Sequence, residues 1–235
     1  VNAGQAFVSL GTSGVLFAAN DGYQPDPETA VHTFCHSLPN TWHQMGVILS
    51  ATDALNWYAG LVGHSPEQLT SELGPLTAPG SALFLPYLGG ERTPLNSGTV
   101  RGSFMGLEHA TDQAAATRAV LEGVTFALAD SRDALAATGT TFDTVFAVGG
   151  GSRSEYWLKA IATALNLPIS VPEAGDFGAA FGAARLGMMA ETSDLSIATP
   201  PSVERTIEPE LSLVEAFADC HQRYKQAAHF LKDFR

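Results

Sequence analysis

Two β-hairpins precede an alternation of strands and helices in this sequence. Residues 6–10 and 15–19 are apolar, strand-like runs on either side of Gly11-Thr12-Ser13-Gly14, a pattern that predicts a hairpin with a glycine-bounded turn. Residues 31–38 and 41–49 flank a Pro-Asn pair and predict a second hairpin. Because the later strands alternate with helices, we expect a single α/β domain with a mixed β-sheet and helices packed against it.

The remaining elements are predicted from apolar residues at the helical spacing and from short β-type runs. Either Ser50 or Thr52 can N-cap a helix that ends at Gly63. Asp176 is expected to cap a later helix, with a contact to a metal-bound phosphate as the alternative. The proline-rich residues 199–202 are interpreted as a linker that only separates the last helix from the rest of the chain. Further helices are predicted at residues 66–73, 112–137, 155–165, 177–189 and 212–234, and further strands at the start of 82–94 and at 144–148 and 169–171.

The composition excludes several classes of protein. Hydrophobic residues make up 45% of the 235 residues and charged residues 15%, which indicates a globular chain rather than a disordered one. The formal net charge of -12 repels phosphate backbones, so nucleic acids and anionic membranes are poor partners. The two cysteines suggest neither a disulfide framework nor a zinc motif, and no apolar run approaches the length of a bilayer span. We therefore expect a cytoplasmic protein.

Two glycine-rich turns are the main candidates for a ligand site. Gly149-Gly150-Gly151-Ser152 lies between a predicted strand and a predicted helix, where backbone N–H groups can face a nucleotide. It matches neither the Walker A pattern nor G-x-G-x-x-G, and a simple tight turn is an equally good interpretation. Gly11-Thr12-Ser13-Gly14 offers hydroxyls and N–H groups that can hold terminal phosphates without a lysine or arginine. Together the two turns predict a nucleotide cleft, with one turn for the phosphates and one for the base and ribose.

Other polar residues have competing interpretations. His32, Cys35, His36 and His43 resemble a metal cluster, but strand alternation places Cys35 on the face opposite His32 and His36. We therefore expect them to be structural, and we expect no metal site in the chain. The loop Glu91-Arg92-Thr93-Pro94 follows a buried strand; a role facing a ligand or another domain and an internal ion pair are equal alternatives.

Five motifs occur in an order that resembles one family. The resemblance is to the C-terminal domain of the FGGY family of carbohydrate kinases, and it covers essentially the whole chain. Ala115 and Ala116 depart from the polar and aliphatic pair that is usual in the second family signature, which we interpret as a change at a helix surface. The resemblance implies an actin-like, ribonuclease H-like ATPase domain that spans residues 1–235. The motifs are Ser9-Leu-Gly-Thr-Ser-Gly14, Phe84-Leu-Pro-Tyr-Leu-Gly-Gly-Glu-Arg-Thr-Pro94, Gly102-Ser-Phe-Met-Gly-Leu107 with Arg118-Ala-Val-Leu-Glu-Gly123, Gly149-Gly-Gly-Ser152 and Gly182-Ala-Ala-Arg-Leu-Gly187.

The resemblance also implies a set of nucleotide-binding residues and the ligands ATP or ADP with Mg2+. Thr52 and Asn56 are expected to help line the nucleotide site, and their spacing of four places them on one face of a helix. The residues expected to face the β- and γ-phosphates are Gly11, Thr12 and Ser13, and those expected to face the adenosine are Gly150, Gly151 and Ser152.

The activity that the resemblance implies is transfer of the γ-phosphoryl group of ATP to a sugar hydroxyl. The loop Glu91-Arg92-Thr93-Pro94 is similar to that of family members acting on xylulose and gluconate more than to that of members acting on glycerol. We therefore expect D-xylulose to be converted to D-xylulose 5-phosphate. Kinases of the gluconate, ribulose and glycerol types stay open as alternatives, and so does a non-catalytic actin-like module that binds nucleotide.

The beginning of the chain indicates which parts of such a kinase it carries. The family's catalytic aspartate lies shortly upstream of the Ser9-Leu-Gly-Thr-Ser-Gly14 segment, and the chain opens at Val1 without a methionine. We therefore expect a fragment, inactive alone, whose catalytic base belongs to an absent part. The resemblance places most contacts to the pentulose sugar in an N-terminal sugar-binding domain. A homodimer formed through an exposed domain face stays open.

Overall fold

One mixed sheet organises the part of the chain that the computed structural model describes, residues 3–173 and 178–234. The strands are β1 (Ala6–Leu10), β2 (Gly14–Asn20), β3 (His32–Cys35), β4 (Trp42–Ile48), β5 (Leu83–Leu85), β6 (Ser103–Met105), β7 (Val145–Val148), β8 (Ile169–Pro172) and β9 (Val203–Ile207). The helices are α1 (Thr52–Val62), α2 (Pro66–Ser71), α3 (Gln113–Ala137), α4 (Glu155–Leu165), α5 (Gly178–Thr192) and α6 (Val214–Asp233). The main sheet has the strand order β3-β4-β2-β1-β7-β8-β9, and β5 and β6 form a separate antiparallel pair.

Strand pairing confirms the α/β prediction and both hairpins. β1 pairs antiparallel with β2, and β3 pairs antiparallel with β4. β1, β7 and β8 are parallel, with α4 in the connection from β7 to β8. The second hairpin is shorter than predicted: β3 ends at Cys35, and the Leu38 N–H donates to His36 Nδ1 at 3.1 Å instead of to a strand.

The start of α1 differs from the prediction. The N-cap position is Ala51, and no side chain caps the helix. Ser50 donates its hydroxyl to Asp53 Oδ2 at 3.3 Å, whereas Thr52 donates its own to the Gly11 carbonyl at 2.8 Å. The predicted cap was wrong, because Thr52 is the first residue of the helix and its hydroxyl is directed to the Gly11 carbonyl of the first hairpin. Side chains do cap three other helices, and these are Ser65, Asp112 and Ser154.

Helix α3 is the centre of the core, and one glycine sets how closely it packs. A Cβ atom at Gly123 would lie 2.1 Å from the Phe84 carbonyl oxygen, so only glycine lets β5 lie against this helix. On another side, the Trp157 indole of α4 donates to the Leu121 carbonyl at 3.1 Å. Helix α3 also contacts α1, β2 and β4, so it holds the first hairpins and the later α/β part together.

The opposite face of the sheet is less covered. We call it the outer sheet face and define it by Phe7, Phe17, His43 and Phe146, all half-buried. The Phe7 and Phe17 rings stack with centroids 4.6 Å apart, and the Phe17 and His43 rings stack at 4.8 Å. Because side chains alternate along a strand, the neighbours of these residues in β1 and β2 point into the buried core.

Two sequence interpretations change near the carboxyl end. Residues 199–202 lead into β9, an unpredicted strand that pairs antiparallel with β8, so they do more than detach the last helix. Helix α5 extends to Thr192, three residues beyond its predicted end, while Asp176 and Phe177 lie outside the described residues. In the ranges 3–173 and 178–234, no helix is both long and apolar enough to cross a membrane.

Candidate functional site

The first glycine turn, residues 11–13 between β1 and β2, is anchored on the start of α1. The Ala51 N–H donates to the Thr12 carbonyl at 2.8 Å. Thr52 donates twice to the Gly11 carbonyl, from its N–H at 2.9 Å and from its hydroxyl at 2.8 Å. These bonds draw the carbonyl oxygens of the turn towards α1. They therefore fix the position of the first glycine turn relative to the first residues of α1.

The exposed side of this turn carries two hydroxyl groups. The side chains of Thr12 and Ser13 are exposed, and neither hydroxyl is engaged in a hydrogen bond within the described ranges. Hydroxyls and N–H groups at a turn bind phosphate oxygens without a basic side chain. The phosphate-binding role expected for Gly11, Thr12 and Ser13 stays a prediction.

The second glycine turn, residues 149–152, packs against Leu10 and Thr52, the residues that precede and anchor the first turn. Gly149 has φ 91°, and a Cβ atom there would lie 2.9 Å from the Leu10 carbonyl oxygen. A Cβ atom at Gly151 would lie 2.8 Å from Leu10 Cβ and 3.1 Å from Thr52 Cγ2. Both positions therefore need glycine, because the turn approaches the end of β1 and the first residue of α1. The structure thus brings together the two turns that the sequence predicts to form one cleft.

The other expected nucleotide-binding residues lie around this contact and differ in what they can offer. Gly150 is exposed, with open space where a Cβ atom would be, and Asn56 is exposed one turn after Thr52 on α1. Ser152 is buried, and its hydroxyl donates to the Gly149 carbonyl at 2.6 Å. The Ser152 hydroxyl therefore already has an acceptor within its own turn, and any contact from this turn to a nucleotide has to come from backbone groups.

Glu91 is a buried carboxylic acid that contacts the residues preceding α1, and no sequence pattern connects it with that helix. Its Oε1 accepts hydrogen bonds from the Leu49 N–H at 2.9 Å and from the Arg92 N–H at 2.7 Å. Burial raises the pKa of Glu91 to about 7. The Arg92 side chain is exposed, and the described ion pairs do not include these two residues. The internal ion pair suggested for this loop is therefore replaced by bonds to backbone N–H groups.

The four residues that resembled a metal cluster do not form one among the described residues. His36 lies beyond the end of β3, so the prediction that strand alternation places it on one face with His32 was wrong. Its ring meets the His43 ring edge-on at 5.9 Å, Cys35 is exposed, and burial lowers the pKa of both histidines. The three histidine rings pack against phenylalanine rings, and the structural interpretation of the four residues stays a prediction.

Another group has metal-type donor atoms within 4.8 Å of one another: Asp130, Asp133 and His221. Its members are already paired, because Asp130 Oδ1 lies 2.7 Å from His221 Nε2 and Asp133 is held by Arg132 and Lys225 at 2.6 Å each. We assign this group to the packing of α3 against α6.

Comparisons with known proteins place the chain in a family. The model of the FGGY family of carbohydrate kinases, C-terminal domain, matches residues 6–191. This chain therefore belongs to the FGGY carbohydrate kinases, and its fold is the actin-like ATPase fold of that family.

Three relatives are informative. The xylulose kinase of Escherichia coli (strain K12) is 42% identical over 226 residues, which cover 95% of this chain and 45% of the relative. The structure of a xyloylose kinase from Brucella ovis is 62% identical with a TM-score of 0.94, covering 98% of this chain and 49% of that one. The gluconokinase of Bacillus subtilis (strain 168) is 31% identical over 81% of this chain and 39% of the relative. The chain thus spans about half the length of the relatives it matches.

Proposed function

We propose that this chain is the ATP-binding half of a kinase that converts D-xylulose to D-xylulose 5-phosphate. The observation that carries the proposal is that both glycine turns contact Thr52, the first through the Gly11 carbonyl and the second at Gly151. A nucleotide lying across that contact would meet hydroxyls and N–H groups at the first turn and a glycine backbone at the second. The names of the Escherichia coli and Brucella ovis relatives support xylulose as the acceptor.

In this proposal the chain positions the phosphates and contributes no proton transfer. Thr12 and Ser13 bind the oxygens of the β- and γ-phosphates, while Gly150 and Gly151 border the adenosine. Phosphoryl transfer needs in-line alignment and stabilisation of negative charge more than covalent chemistry from the protein. Mg2+ arrives with the nucleotide as the MgATP substrate. Gly150 is exposed, with open space where a Cβ atom would be, so a nucleotide can approach the backbone of the second turn there.

The sugar and the catalytic base belong to the other half of the enzyme in this proposal. The chain spans less than half of the Escherichia coli relative, so the partner domain has comparable size. Dependence on ATP supports a cytoplasmic location. We expect the chain alone to bind nucleotide weakly and to transfer no phosphoryl group, because only one wall of the cleft is present.

The test measures ADP release with D-xylulose, gluconate, glycerol and L-ribulose. The chain is assayed alone and after fusion to the N-terminal domain of the Brucella ovis kinase, whose C-terminal half it matches closely. We expect activity only in the fusion, fastest with D-xylulose. Fastest turnover of gluconate would move the assignment to the gluconokinase type. A fusion that binds ATP but phosphorylates none of the four would favour a non-catalytic nucleotide-binding module.

A further inference from the structure

A chain of hydrogen bonds links Glu91 to the first glycine turn. The carboxylate accepts from the Leu49 N–H at 2.9 Å, directly after β4. Two residues later, the Ala51 N–H donates to the Thr12 carbonyl at 2.8 Å. The next residue, Thr52, donates its N–H and hydroxyl to the Gly11 carbonyl. The segment that anchors the glycine turn is thus anchored at its own beginning by Glu91.

Glu91 is itself held firmly. It is only 3% exposed, and its backbone exchanges hydrogen bonds of 2.8 Å in both directions with Ser97. Two residues further on, Thr93 makes two hydrogen bonds to β4. Its N–H donates to the Val47 carbonyl at 2.9 Å, and its hydroxyl accepts from the Val47 N–H at 3.0 Å. These bonds therefore hold the loop, and with it the carboxylate, in a fixed position beside the end of β4.

The carboxylate has a feature that packing alone does not require. Oε1 accepts two N–H groups, whereas Oε2 is buried with no hydrogen-bond partner among the residues described. Burying such a group is unfavourable, so an apolar side chain would be the cheaper way to fill the space. An apolar side chain cannot accept a hydrogen bond from the Leu49 N–H, whereas Glu91 does.

We propose that Glu91 is a positioning residue for the nucleotide phosphates. It fixes the Leu49 N–H and thereby the residues that hold the carbonyl oxygens of Gly11 and Thr12, so that the opposite side of the first glycine turn faces the phosphates. The inference rests on the proposed function, because it assumes that this turn binds the β- and γ-phosphates. The second glycine turn depends less on Glu91, since its close contacts are mainly with Leu10 of β1 and only Gly151 also meets Thr52.

The experiment compares two nucleotides that differ in the phosphates the first turn would hold. Binding of AMP-PNP with Mg2+ and of AMP to the chain is measured by isothermal titration calorimetry. We expect Glu91→Leu to weaken AMP-PNP binding about 10-fold, as for loss of one buried hydrogen bond in the anchoring chain, and AMP binding less than about twofold. Glu91→Gln keeps an oxygen for Leu49 and should bind AMP-PNP like the unsubstituted chain.

Two further variants distinguish a specific loss of AMP-PNP affinity from a general destabilisation of the fold. Glu91→Asp retains the charge but withdraws the oxygens from Leu49, so it should share the defect of Glu91→Leu even if the leucine variant does not fold. Glu122→Leu is the matched control: Glu122 is also buried, with a pKa raised to about 7 and one unpartnered oxygen, but it lies on α3 beside Arg118. We expect it to leave the ratio of AMP-PNP to AMP affinity unchanged, whatever its effect on stability.

Three results would overturn the inference. The first is unchanged AMP-PNP affinity in Glu91→Leu and Glu91→Asp, and the second is an equal loss for AMP and AMP-PNP, which is what a merely structural role produces. The third is the same selective loss in Glu122→Leu. Failure of the unsubstituted chain to bind AMP-PNP is a different outcome, because it would overturn the proposed function and the inference with it.

Discussion

Thr52 is the residue through which the candidate site is assembled. Its hydroxyl donates to Gly11 in one turn, and its methyl group borders the space that Gly151 leaves empty in the other. A threonine does both because it carries a donor and a methyl group on the same Cβ atom. Its spacing to Asn56 was readable in the sequence, but its contact with Gly11 joins residues 41 positions apart and could not be predicted from local pattern.

Substitutions at Thr52 can separate the two contributions. Thr52→Val keeps the shape and removes the donor, so we expect a loss of about 1 kcal/mol in the free energy of unfolding and weaker AMP-PNP binding. Thr52→Ser keeps the donor and removes the methyl group, so it should retain more of the affinity. Urea unfolding followed by circular dichroism, with titration of AMP-PNP, measures both effects. An AMP-PNP affinity lower in Thr52→Ser than in Thr52→Val would contradict this assignment.

At the scale of elements, the packing of α3 against β5 depends on the missing side chain at Gly123. The Phe84 carbonyl occupies the place of a Cβ atom, and backbone cannot move aside as a flexible side chain can. The motif Gly102-Ser-Phe-Met-Gly-Leu107 with Arg118-Ala-Val-Leu-Glu-Gly123 identified the family, and the structure gives a physical reason for its last residue.

Gly123→Ala should therefore destabilise the chain severely, by more than about 3 kcal/mol, since β5 and α3 would have to separate. Gly60→Ala is the matched control, because Gly60 also lies within a helix but has open space around it. There the same change should stabilise by about 0.5–1 kcal/mol through helix propensity and reduced freedom of the unfolded chain. Thermal unfolding of both variants checks the pair, and equal effects would refute the steric explanation.

The elements that the sequence predicted well are those specified by local pattern. The β1–β2 hairpin has a glycine-bounded turn, and helix α4 matches its predicted bounds because its apolar residues are periodic and Ser154 caps it. Strand β9 escaped prediction because four of its five residues are exposed, so it has no apolar alternation and exists through pairing with β8. The loop of Glu91 was a candidate for facing a ligand, but the acceptor role of Glu91 could not be predicted because its partner Leu49 lies 42 positions away.

At the scale of the whole molecule, two buried carboxyl groups make stability depend on pH. Burial raises the pKa of Glu91 and of Glu122 to about 7, from 4.5. Between these values the unfolded chain loses the two protons while the folded chain keeps them. The folded state then binds more protons than the unfolded state, so each group lowers the stability as the pH rises towards 7.

The double variant Glu91→Gln with Glu122→Gln should remove this dependence. We expect the free energy of unfolding of the unsubstituted chain to fall relative to the double variant by about 2 kcal/mol or more between pH 5 and pH 8. Urea unfolding of both proteins at pH 5, 6, 7 and 8 gives the difference directly. A difference that stays constant, or that changes in the opposite direction, would show that the two carboxyl groups are ionised in the folded chain.

The outer sheet face affects which spectroscopic probe of unfolding is suitable for this protein. The half-buried rings of Phe7 and Phe17 lie there, and α5 exposes Phe181, Leu186 and Met188 to solvent. Dyes that fluoresce on apolar surface, such as anilinonaphthalene sulfonate, should therefore bind the native chain and give a bright signal before any heating. A dye-based melting curve would begin from a high baseline and understate the transition. Circular dichroism of the helices is the better measure of unfolding, because it does not depend on a dye that binds the native surface.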